Sequence, residues 1–132
     1  MIEQDLPRLR IWRALLAAVL IEIALVIPTF VRVVTTGVST QELNPAIPVM
    51  ALILFILAGY WCGRGTSAPV LNGLIAGLWG IALYVALTLV LSATAADFEL
   101  ENSIRPSYLF AHGLKVVGGV IGGWLVARKT GA

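Results

Sequence analysis

Four unbroken apolar stretches, at about 13–34, 46–63, 70–93 and 107–127, decide what this chain can fold into. Each is close to the roughly 20 residues that a helix needs to cross a hydrocarbon core about 30 Å thick. Water cannot be their main solvent, because 59% of the 132 residues are hydrophobic and only 12% are charged, about half the charged share of a soluble domain. A transmembrane β-barrel would show alternating segments of about ten residues, whereas these runs are continuous. The expectation is an all-α integral membrane protein: one transmembrane domain over residues 1–132, its four helices forming two hairpins.

Arg8, Arg10 and Arg13 give the first stretch the basic flank of a signal peptide. Its apolar run is too long for one, and no small-residue cleavage site follows, so it reads as a helix. Positive charge is retained on the cytoplasmic side. Arg8, Arg10 and Arg13 before the first helix, Arg64 between the second and third, and Arg128 and Lys129 after the fourth therefore place both termini in the cytoplasm. Arg32 and Arg105 are left with Glu42, Asp97, Glu99 and Glu101 on the other side. The expected location is a bacterial inner (plasma) membrane, crossed several times. The net charge of +2 reflects this topology; its few, scattered cations make no nucleic-acid footprint and point instead to anionic lipid headgroups. A lone cysteine, Cys62, and a lone histidine, His112, exclude an internal disulfide and offer no metal-ligand set. No cofactor motif is present.

Asn44-Pro45, Ser67-Ala68-Pro69 and Arg105-Pro106-Ser107 each put a cap or a proline before an apolar run, where the missing N–H costs nothing. Aromatic side chains fall at the expected interfaces: Trp12, Tyr60, Trp61 and Trp124 inside, and Phe30, Phe98, Tyr108 and Phe110 outside. The ends of the second and fourth helices also align, "AGYWCGRGTSA" with "GGWLVARKTGA", pairing Gly59 with Gly123 and Arg64 with Arg128. Duplication of a hairpin as a parallel repeat accounts for this, and so does convergence of two helices leaving the membrane on the same side. Small-xxx-small pairs occur at Gly59 and Gly63, Gly73 and Gly77, Gly118 and Gly122, and Gly119 and Gly123. They predict close helix packing, either within the chain or between chains.

Three ionisable residues fall inside the expected spans: Glu22 in the first, His112 and Lys115 in the fourth. At 1.5 Å per residue Glu22 lies about 14 Å from the cytoplasmic side and Lys115 about 12 Å from the outer side. The two depths nearly coincide on antiparallel helices, which predicts an ion pair. His112 shares a helix face with Lys115, and Tyr84 and Thr88 reach the same level from the third helix. A charged residue at mid-span costs about 2.5 to 3.5 kcal/mol, and each large apolar residue offsets about 0.3 to 0.6. The first helix can carry Glu22 on those terms, whereas the fourth, rich in glycine, needs a partner. An unpaired carboxylate or ammonium would lose its charge in hydrocarbon, so pairing is the economical arrangement. Pro28, just beyond Glu22, frees a carbonyl and allows a kink.

The segment "VLIEIAL" around Glu22 is similar to the first helix of the small multidrug resistance transporters. That resemblance, confined to this segment, implies a glutamate that exchanges protons for cationic substrates. The third segment, "LNGLIAGLWGIALYV", does not carry that family's aromatic pattern. Two functions are therefore expected. One is a non-catalytic subunit or accessory factor, packing through its glycine stripes into a homo-oligomer or a larger membrane complex. The alternative is a small proton-coupled transporter that uses Glu22, Lys115 and His112. No pattern of nucleophile, base and orienting group suggests an enzyme.

Overall fold

The computed structural model describes residues 11–36, 46–94 and 106–130. The turn at Asn44-Pro45, the aromatic Phe98, Arg8, Arg10 and the outer-side residues Glu42, Asp97, Glu99, Glu101 and Arg105 lie outside them, as do the side chains of Pro28, Phe30, Arg32 and Ser107. The chain forms four helices: α1 (Ile11–Thr36), α2 (Ala46–Gly63), α3 (Pro69–Thr94) and α4 (Pro106–Thr130), with no strand among the described residues. Both α3 and α4 start on a proline, whose fixed φ suits the first helical turn. Two helices, Pro69–Thr94 and Tyr108–Thr130, are long and apolar enough to cross a membrane, and the apolar stretch of α2, Ile47–Gly63, is shorter.

The turn between α2 and α3 is built by a few polar groups. Gly65 adopts φ 75°, which only a residue without Cβ takes freely. The Thr66 hydroxyl donates to the Gly63 carbonyl at 2.8 Å. Asn72, fully buried, donates from Nδ2 to the Ala68 carbonyl at 2.9 Å and to Thr66 Oγ1 at 3.2 Å. Satisfying this amide inside the turn is what makes its burial tolerable.

Helix order is set by glycine. In α4, Gly118 and Gly122 face α2, where a Cβ would meet the backbone of Leu52, Ile56 and Tyr60. Gly119 and Gly123 face α3, meeting Gly73 and Pro69, and Gly119 also lies against Gly59 of α2. Successive contacts run the same way along α2 and α4, which are parallel, and in opposite senses along α3 and α4, which are antiparallel. The glycine stripes are thus occupied within the chain. Gly63 is an exception: it faces Pro69 at the start of α3 and serves the tight turn, not a seam between two helices.

On the opposite side of the α2 and α3 pair lies α1. Its buried face, Ala14, Ala17, Ala18, Ile21 and Leu25, joins Ala51, Phe55, Ala58 and Ala76 in the apolar core. Residues recurring at three and four positions put this face on one stripe. No Cα atom of α1 lies within 8 Å of one of α4 among the described residues. A twofold repeat of hairpins would bring α1 as close to α4 as α2 is to α3, so the likeness of the α2 and α4 ends does not extend to the packing. Large apolar residues are exposed on every helix, among them Leu16, Leu20 and Ile27 of α1, Ile53 and Leu57 of α2, Leu78 and Leu89 of α3, and Phe110 and Val117 of α4.

Candidate functional site

Glu22 continues the row Ala14 and Ala18 on α1, whose small side chains allow α1 to approach its neighbours closely. Lys115 stands one turn before Gly119 on α4. Its stem passes the three-helix junction where Gly80 of α3 faces the Phe55 ring of α2; a Cβ on Gly80 would be 3.4 Å from Lys115 Cδ. Beyond that junction Lys115 Nζ donates to Glu22 Oε1 at 2.5 Å. The two side chains are 4% and 14% exposed, Lys115 and Glu22 respectively, so the pair is shielded from solvent and from salt. It is a side-chain bridge between two helices whose backbones stay apart.

An aromatic group flanks the pair. Lys115 Nζ lies 5.2 Å from the centre of the Tyr84 ring, within cation–π range. The His112 ring packs on the same Tyr84 at 4.2 Å, tilted by 53°. Tyr108, one turn before His112, stacks on Tyr84 at 6.4 Å. Thr88 is buried one turn along α3 from Tyr84. Both ring nitrogens of His112 are buried without a hydrogen-bond partner among the described residues. The group combines a neutralised ion pair, an electron-rich ring face and an imidazole with spare hydrogen-bonding capacity.

The structure brings Glu22 and Lys115 into contact and places His112 and Tyr84 beside them. Tyr108, expected in the interfacial belt, turns its ring onto Tyr84. Helical spacing could have shown this, because Tyr108 and His112 are four residues apart. Phe55 and Gly80 form the wall that guides Lys115, and the uniform apolar run of α2 gave no sign of Phe55. At the end where α1 begins and α2 and α4 finish, Arg13 lies 4.8 Å over the Trp61 ring and donates to the Trp61 carbonyl at 3.4 Å. Nearby on α4, Arg128 lies 5.4 Å from the Trp124 ring centre, and Lys129 Nζ is 3.5 Å from the Tyr60 hydroxyl. These pairs join the interfacial aromatics to the basic residues expected to face the cytoplasm. In comparison with known proteins, no family model, no curated sequence and no solved structure matches the chain.

Proposed function

We propose that the protein is a small non-catalytic integral membrane protein that crosses a bacterial inner membrane four times, with both termini in the cytoplasm, and acts as a subunit or accessory factor in a membrane assembly. The observation that carries this reading is the inverted polarity of the bundle. Large apolar side chains are exposed on all four helices, while the charged pair Glu22 and Lys115 is sealed inside. That pattern suits lipid, not water. Because the glycine stripes are filled by neighbouring helices, assembly with a second copy or a larger complex falls to the large side chains of the outer faces.

Topology is tested by single cysteines placed in the Cys62→Ser background at Thr40, Ser103 and Ala132. A membrane-impermeant maleimide applied to spheroplasts should label the first two and spare the third; the reverse pattern overturns the orientation. Mild-detergent purification should recover the chain in a defined assembly, and a monodisperse single chain would overturn the subunit role. A second reading, a proton-coupled carrier, is favoured by the His112 nitrogens, which have no hydrogen-bond partner among the described residues beside the buried pair.

A further inference from the structure

We propose that His112, not Glu22, is the proton-binding group of this bundle, reached from the side that carries the α1 to α2 and α3 to α4 connections. Glu22 is engaged: its Oε1 accepts from Lys115 Nζ, and a proton arriving there would have to displace a buried ammonium. At His112 a proton displaces no hydrogen bond to a described residue, and the charge it meets is that of Lys115 across the Tyr84 ring. Buried side-chain nitrogens in folded proteins as a rule have a hydrogen-bond partner; the two of half-buried His112 have none among the described residues. Its ring instead lies on Tyr84, and Tyr108 continues the same aromatic stack one turn toward the start of α4.

The titratable groups around His112 can be placed on every helix. Tyr84 faces it from α3, and Tyr108 and Lys115 belong to its own helix. Glu22 reaches the group from α1 only through Lys115. The titratable residues of α2, Tyr60 and Cys62, lie at the far end of that helix. The carboxylates Glu42, Asp97, Glu99 and Glu101 and the guanidinium of Arg105 fall outside the described residues. In the proton-binding step a hydronium ion transfers its proton to the imidazole lone pair; one O–H bond breaks, one N–H bond forms, and water is released. The resulting imidazolium faces the Tyr84 ring, which already has Lys115 Nζ at 5.2 Å. Two cations then lie against one aromatic ring, so occupancy at His112 is felt by Lys115 and, through it, by the bridge to α1.

His112 is the only histidine in the chain, so histidine labelled with ¹⁵N reports it alone. In full-length protein in lipid nanodiscs, the signal should pass from neutral imidazole to imidazolium between about pH 9 and 3. In Glu22→Gln/Lys115→Gln, which leaves no buried charge unpaired, the midpoint should be displaced by about one unit or more. No titration in that range, or an unmoved midpoint, overturns the proposal. Unmodified protein oriented in sealed vesicles needs no variant: the signal should follow the pH on the connection side while the terminus side is held constant. A signal that follows the terminus side, or both sides equally, overturns the access route. Sidedness of the vesicles is read separately from a labelled Ala132→Cys terminus in the Cys62→Ser background, so a wrong topology is distinguished from a wrong proton site.

Discussion

The two outer helices of the bundle are attached by different physics. On one side, α4 sits with its glycines against the backbones of α2 and α3, where shape alone decides the fit. On the other, α1 is held by an alanine-rich face and by one charge reaching through the bundle from α4. A seam of glycines is unforgiving over its whole length, because every approach is backbone to backbone. A side-chain bridge concentrates its contribution in a single pair and leaves the rest of the interface adaptable. In lipid, where no hydrophobic drive separates packed from unpacked helices, these are two distinct ways of giving an interface an energy.

The largest effect is expected where the two attachments meet. Lys115→Leu alone leaves Glu22 buried without its cation and should cost about 3 to 5 kcal/mol, whereas Glu22→Leu/Lys115→Leu should recover most of that loss. Reversible unfolding in mixed detergent micelles measures both. Hydrogen exchange adds the location: amides of α1 should exchange faster in the single variant while those of α2 and α4 keep their protection. Equal loosening of all helices would erase the distinction drawn between the two sides.

Gly119→Ala attacks the seam. Its Cβ would run into the Gly73 carbonyl, and neither helix has a flexible side chain there to give way. Overpacking of this kind should cost about 1 to 3 kcal/mol in the same unfolding measurement, with exchange now accelerating in α4. Arg13→Ala removes an exposed cation–π contact and a long hydrogen bond at one end of α1. It should cost only about 0.5 to 1 kcal/mol, read as a small drop in thermal midpoint. Smallest is Gly113→Ala, where a Cβ meets nothing within 4 Å. The helix preference for alanine then operates alone and should stabilise α4 by up to about 1 kcal/mol. A loss of stability at Gly113 would mean that this face is covered by something other than lipid.

Helix positions were legible because long apolar runs and their prolines are local signals. The segments read at 46–63 and 70–93 match α2 and α3 to within a residue at each end, and α1 and α4 run slightly beyond the expected bounds. The meeting of Glu22 with Lys115 was also legible, since depth along two antiparallel helices follows from residue count alone. Neighbour order was not. Gly118 and Gly119 point in directions about 100° apart on one helix, and nothing in the sequence says which of them meets α2 and which α3. Nor does residue count reveal that Lys115 must reach past Gly80 and Phe55 to a helix with no Cα within 8 Å of its own among the described residues. Tyr108 shows the same limit, because a ring near a helix start satisfies a lipid interface and an internal stack equally well.

The partners of the buried bridge are 93 residues apart, one on α1 and the other on α4. During synthesis at about 5 to 20 residues per second, roughly 5 to 20 s separate the emergence of the carboxylate from that of its ammonium. Throughout that interval the first helix has an acid with no cation and a small-residue face with nothing yet to cover it. Completion of the bundle therefore waits for α4. Any truncation before the fourth helix would leave a product whose defect lies far from the break.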